Sequence, residues 1–267
     1  MIGNITIGQY YPGSSIIHRV DPRVKIILTL IFMILVFVVS SPAGYALVTL
    51  FTMIAVFYSE VPIRYALKGL KPLLFIIIFV ALINILTVKG ETILFEYSFI
   101  HISLEGILTA GKMCLRLILL VITASLMTLT TTPIMLTDGI EKLLGPLKYI
   151  RVPTHEIAMM MTIALRFIPT LMDETDKIMK AQAARGADFD TGNIVQKAKS
   201  FVPVLVPLFI SAFRRADELA TAMEARCYRG GEGRTRMKQL KLTKTDAVVS
   251  GFILIFIAAV TTAEIIF

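Results

Sequence analysis

Five stretches of this chain run for 16 to 18 positions without a single charged residue: 26–41, 43–59, 72–88, 117–134 and 247–263. A helix needs roughly 17–25 mostly apolar residues to cross about 30 Å of hydrocarbon. The runs are at the short end of that range, so flanking residues such as Lys25 and Lys71 are expected to snorkel and complete each span. Hydrophobic residues make up 56% of the 267 positions and charged ones 17%, against roughly 25% charged in a typical soluble protein. One soluble core could not hide that much apolar surface. The hydrophobicity excludes disorder, and Cys114 and Cys227 make no disulfide framework. Positions 1–15 lack a basic segment followed by an apolar one, so no cleaved signal peptide is read. The sequence predicts an all-α polytopic membrane protein with about five transmembrane helices.

Charge orients those helices. The chain carries 27 Lys and Arg against 19 Asp and Glu, and 18 of the bases and 12 of the acids lie between 133 and 244. Arg19, Arg23 and Lys25 precede the first run, and Arg64, Lys68 and Lys71 separate the second from the third. The connection between the first two runs is uncharged. The one between the third and fourth sets Lys89 against Glu91, Glu96 and Glu105. The basic excess alternates as the positive-inside rule requires, which puts the N-terminus and 133–244 in the cytoplasm and the C-terminus outside. Pro22, Pro42 and Pro72 stand near helix starts. With no Trp, Tyr45, Tyr58, Tyr65 and Tyr97 are the candidate interfacial aromatics. Gly44, Gly69 and Gly251 are places where helices could approach closely. Lys112 and Arg116 read as snorkelling cations on the outer side in preference to inward polar contacts.

The expected organisation is three-part: 1–132 with four transmembrane helices, 133–244 as a cytoplasmic region, and 245–267 as a last transmembrane helix. Within the middle part, the apolar stretches 157–165 and 201–213 are too short to span alone, the second containing Pro203 and Pro207. They read as halves of longer helices, with a further pair crossing the bilayer as the alternative. Residues 154–185 and 206–226 have amphipathic helical spacing. Pro169 is expected to kink or break the first, and Gly186 and Gly230–Gly231 to stop the two.

These two helices look like one device used twice. A shift of 41 positions sets Asp176 on Asp217, Ala181 on Ala222, Ala184 on Ala225 and Arg185 on Arg226. Each ends in small residue, Arg, small residue: Ala184-Arg185-Gly186 and Ala225-Arg226-Cys227. Small neighbours let a helix end come close to another protein surface, and a guanidinium can fork onto a carboxylate or onto carbonyls. An arginine near one helix C-terminus need only complement the macrodipole. Its duplication favours two similar docking partners.

At this point the chain resembles the transmembrane T component of energy-coupling factor transporters, bacterial vitamin and trace-metal importers of the ABC type. The resemblance is carried by GQYYPGS at 8–14, His18-Arg19-Val20-Asp21-Pro22-Arg23, LRFIPT at 165–170, QAARGADF at 182–189, VPVLVPL at 202–208 and AMEARCYRGGEG at 222–233. It covers nearly the whole chain and favours the shared type that serves several S components. It implies that Ala184, Arg185, Gly186 and Ala225, Arg226, Cys227 end coupling helices that dock on two ATPase subunits. It also implies that the membrane helices grip a separate substrate-binding S component. Cys227 stands where the family more often has Gly or Ser.

Other chemistries find little support. His18, His101 and His155 lie outside the apolar runs, and no Ser or Thr within them has an evident base. The histidines and cysteines have no metal-ligand spacing, and no G-x-x-x-x-G-K-[ST] is present. No catalytic, cofactor-binding or metal-binding residue is assigned, and the chain is read as a non-catalytic subunit. The basic segment 226–244 has Tyr228 as its lone aromatic, which favours anionic lipid over nucleic acid as its neighbour. A stand-alone secondary transporter or channel is the rival reading, and it would need ionisable residues at the bilayer midplane.

Overall fold

The computed structural model describes residues 10–88, 92–97, 100–189, 191, 193–230 and 240–266. Helices dominate them: α1 (Ile16–Arg19), α2 (Pro22–Val38), α3 (Pro42–Tyr58), α4 (Ile63–Lys68), α5 (Leu74–Thr87), α6 (Leu104–Thr130), α7 (Pro133–Leu143), α8 (Thr154–Ala184), α9 (Ile194–Ala225) and α10 (Lys244–Ile266). The connection between α5 and α6 holds a short antiparallel hairpin, β1 (Ile93–Tyr97) with β2 (Ile100–Ser103), in which Tyr97 pairs with Ile100. Nothing in the hydropathy pattern signals it.

Local chemistry sets where helices begin. Side chains of Asp21, Ser41 and Ser103 accept first-turn N–H groups at the starts of α2, α3 and α6, and Pro22 and Pro42 fill positions that need no N–H. Pro42 also pushes Ser41 into extended backbone, which keeps α2 and α3 separate. Four helical segments are long and apolar enough to cross a membrane: Ile63–Thr87, Leu104–Thr130, Val195–Ala225 and Lys244–Ile265. Pro42–Tyr58 is a shorter apolar helix. The stretch 201–213 is thus the interior of a 32-residue helix. α8 passes through Pro169 without a break. α6 starts well before the charge-free run, because Lys112 and Arg116 lie inside the helix.

The described residues pack as two compact units, one within 10–139 together with 240–266, the other within 140–230. In the first unit, Phe32, Leu35, Val36, Val48, Leu119 and Val260 meet at the centre of α2, α3, α6 and α10. Phe51 and Phe256 stack against this cluster with ring centroids 4.3 Å apart. In lipid such a core gains no hydrophobic drive over the acyl chains, so close packing and polar contacts must hold it. Most apolar side chains of the long segments face outward, Phe75 and Phe79 on α5 among them.

Polar contacts tie this unit at both ends. At the α2–α3 turn, Glu264 from α10 accepts from Ser40 N at 2.9 Å, Ser41 N at 3.0 Å and Ser41 Oγ at 2.7 Å, and also from Ser40 Oγ. Lys112 Nζ donates to the Ser40 carbonyl at 3.0 Å and Arg116 to the Val39 carbonyl at 2.9 Å. The Arg116 guanidinium lies 5.8 Å from the ring centres of Phe37 and Tyr45. Arg116 therefore makes an inward contact with the cap carbonyl of α2, contrary to the snorkelling expected of it, while Lys112 is exposed and reaches the carbonyl of the turn that follows. Tyr45 is buried beneath Arg116 and is not an interfacial aromatic, whereas Tyr58 and Tyr65 are exposed. Tyr97's side chain lies outside the described residues.

At the opposite end of α2, Lys25 does not snorkel either. It is 8% exposed and donates to Thr130 O at 3.1 Å and Thr131 Oγ1 at 2.9 Å, capping the C-terminus of α6. Asp21 binds Arg23 at 2.8 Å, and its backbone N–H donates to Asp246 at 2.7 Å. His18 sits between Ser15 Oγ and the Tyr11 carbonyl, at 2.7 and 3.0 Å, which is a structural role. Of the three glycines, Gly44 and Gly69 are the close approaches. A Cβ at Gly44 would lie 2.9 Å from Glu264 Oε2, one at Gly69 would strike Ser125 Oγ, and Gly251 faces open space.

Candidate functional site

Helices α8 and α9 end in the same hydrogen-bond pattern. At the end of α8, Gly186 N donates to Ala183 O at 3.0 Å and Ala187 N reaches back to Gln182 O at 3.0 Å. At the end of α9, Cys227 N donates to Glu224 O at 2.8 Å and Tyr228 N to Met223 O at 3.0 Å. Each is a Schellman closure, in which two backward bonds satisfy the orphan carbonyls of the last turn and the residue after the cap turns left-handed. The 41-residue shift maps one set of bonds onto the other donor for donor. Ala184 and Ala225 are the last helical residues, and Arg185 and Arg226 are the caps. Gly186 and Cys227 take the left-handed position with φ of 91° and 54°.

All six residues are exposed. Because the closure uses backbone groups alone, neither guanidinium is needed to finish its own helix. Each is presented at a blunt helix end between residues too small to shield it. Such an end can insert into a groove and offer up to five N–H donors to carboxylates or carbonyls. Cys227 departs from its counterpart in one respect: glycine takes a left-handed backbone freely, while a side chain there costs roughly 1–2 kcal/mol.

The two helices run antiparallel. Arg215 on α9 pairs with Glu174 on α8 at 3.0 Å, Gln182 Nε2 on α8 donates to Pro203 O on α9 at 3.3 Å, and Phe189 meets Phe201 at 5.4 Å beyond them. Partners further along α8 lie further back along α9. Glu174 and Arg215 are themselves 41 positions apart. An equivalent pair in contact marks the centre about which the repeat is arranged. Arg185 lies eleven positions after Glu174, and Arg226 eleven after Arg215. At 1.5 Å per residue each arginine is about 16 Å along its helix from the shared contact, in opposite directions.

The sequence singled out the two helix ends but not the ion pair that joins their helices. The signal was present in the same shift, which sets Glu174 on Arg215 with reversed charge. The pair's side chains are 31% and 34% exposed, so its worth is that of a surface pair, up to about 1 kcal/mol. Near the start of α8, His155 Nδ1 contacts Glu141 at 3.1 Å, an anchor of α8 to the end of α7.

Comparison with known proteins places the chain in a family. The family model described as Cobalt transport protein (CbiQ) matches residues 13–237. An energy-coupling factor transporter transmembrane protein of Ruminiclostridium cellulolyticum is 63% identical over the whole of both chains. The protein of that name from Clostridium kluyveri is 58% identical over 94% of this chain and 93% of its own. The one from Bacillus subtilis is 48% identical over 93% of this chain and 94% of its own. The chain therefore belongs to the family of energy-coupling factor transporter transmembrane proteins, as the transmembrane component of such a transporter.

Proposed function

We propose that this chain is a non-catalytic scaffold that couples ATP hydrolysis by two partner ABC-type ATPases to the reorientation of a substrate-binding S component. The reading places it in a bacterial cell membrane, with the N-terminus and residues 133–244 in the cytoplasm and the C-terminus outside. It treats 1–132 and 245–267 as the membrane-embedded parts, and 133–244 as the part that meets the ATPases.

The observation that carries it is the pair of matched helix ends. Two ATPase subunits closing on nucleotide offer two similar surfaces, and a scaffold following both needs two similar contacts on stiff levers. α8 and α9 supply them: each is about thirty residues long, and each ends in an exposed arginine between small residues. Arg185 and Arg226 are the docking residues in this reading, with Ala184, Gly186, Ala225 and Cys227 as the clearance around them. The test is uptake of a vitamin by cells that depend on this transporter. Arg185→Glu and Arg226→Glu should each lower uptake, and together abolish it at unchanged membrane abundance. Uptake at the wild-type rate in the double variant would end the coupling role.

A further inference from the structure

The first unit contains a cavity of about 450 Å³, within the range of sites that hold small ligands. Its walls come from residues 16–32 of α1 and α2, 51–58 of α3, 123–130 of α6 and 248–253 of α10. These segments gather toward one end of the bundle: the first part of α2, the end of α3, the end of α6 and the first part of α10. Seven rises along α3, from Phe51 to Tyr58, make about 10 Å. The cavity therefore occupies one half of a bilayer whose hydrocarbon is about 30 Å thick.

Its shape and chemistry suit one kind of occupant. The interior is almost wholly apolar, with Leu28, Phe32, Ala55 and Leu126 in its wall. Ile54, Tyr58, Val248 and Phe252 line it and are also exposed, so it opens between α3 and α10 onto a surface that is itself apolar. In a membrane that mouth faces lipid, not water. Charge at this end is mixed with a basic excess: Arg19, Arg23, Lys25 and Lys244 stand against Asp21, Glu60 and Asp246. Lys25 forms part of the wall and makes no ion pair with a carboxylate among the described residues; its donors go to Thr130 and Thr131. Arg19, next to the lining residue Val20, and Lys244, one turn before Val248, are exposed. Of the carboxylates nearby, Asp21 is paired with Arg23, Asp246 accepts from the backbone of Asp21 and Thr243, and Glu60, two residues after Tyr58, is exposed.

We propose that this cavity is a binding site for an anionic glycerophospholipid of the leaflet at the basic ends of the helices. One acyl chain fills the lumen, and the phosphate stays at the mouth in the field of Lys25, Arg19 and Lys244. An apolar slot alone would take any lipid tail, and the excess of basic residues around it, with Arg19 and Lys244 exposed, selects a negative headgroup. The lipid then acts as a wedge between α3 and α10, filling space that would otherwise be empty.

The test uses the full chain in nanodiscs, with a phosphatidylglycerol carrying a photoreactive diazirine on one acyl chain, and the matching phosphatidylcholine as control. Crosslinks should concentrate on 51–58, 123–130 and 248–253 and be several-fold stronger for phosphatidylglycerol. Ala55→Phe, which fills the lumen, should remove them while leaving crosslinks on α5 unchanged. Lys25→Gln should bring the two lipids to parity. Because either variant could misfold, the wild-type pattern decides by itself. Crosslinks spread evenly over outward faces such as Phe75 and Phe79 would mean ordinary lipid solvation and overturn the site. Equal yields from the two lipids would overturn the headgroup selection. Crosslinks that vanish from these segments once the other transporter subunits are present would mean a seat for a partner helix and overturn it too.

Discussion

Cys227 and Gly186 hold the same place in two equivalent closures, and only one of them fits it without strain. Cys227→Gly should stabilise the end of α9 by about 1 kcal/mol, and Gly186→Ala should destabilise the end of α8 by a similar amount. Amide hydrogen exchange at the last turns measures both, since the effect is local and would barely move a global melting curve. A second residue-scale outcome concerns acid. The hydrogen bond from Arg23, more than any other influence, holds the Asp21 carboxyl below its ordinary value of 3.8. The folded state thus binds this proton less readily than the unfolded chain. The stability it gives is complete above the ordinary aspartate value and is lost as pH falls through the lower folded one. Thermal unfolding in detergent should lose stability as pH falls below about 4 in the wild type, and Asp21→Asn should flatten that slope. A slope unchanged in the variant would remove Asp21 from the account. The matched helix ends carrying Arg185 and Arg226 were legible in the sequence because a duplicated motif needs no three-dimensional information. Lys25 and Arg116 were misread as snorkelling, since hydropathy alone cannot reveal that each has a helix C-terminus within reach.

At the scale of elements, the antiparallel pairing of α8 and α9 makes the two ends behave as opposite tips of one lever. Its midpoint carries Glu174 and Arg215, equivalent positions with opposite charge. Reversing one of them, as in Glu174→Arg, should cost about 1 kcal/mol of α8–α9 association by removing the pair and setting like charges together. Glu174→Arg with Arg215→Glu should recover most of it, and a double-mutant cycle on unfolding free energies reads the coupling. No recovery would mean that the contact does not hold the helices in register. The apolar runs located α2, α3, α5, α6 and α10, because a membrane helix must satisfy its backbone internally whatever its neighbours. Their ends were less legible. α6 was read too short, since charges that are satisfied by another helix do not end a span. The helical spacing of α9 was read only from 206, since Pro203 and Pro207 interrupt the pattern without ending the helix, which starts at Ile194.

For the molecule as a whole, the surplus of positive charge has two uses. It stands at the ends of apolar helices, where the proposed orientation draws on it, and in the unit of α8 and α9, where two arginines are exposed. The first unit is held by packing and by polar ties at both ends of α2, with much apolar surface left to lipid. The second offers stiff helices with matched tips. Motion imposed at the tips is useful only if both are gripped at once, so the central claim concerns two attachments. Co-purification of the partner ATPases with a tagged form of this chain tests it most directly. Arg185→Glu and Arg226→Glu should each reduce the ATPase recovered, and the double variant should recover none while still inserting in the membrane. Full recovery of ATPase by the double variant would contradict the account.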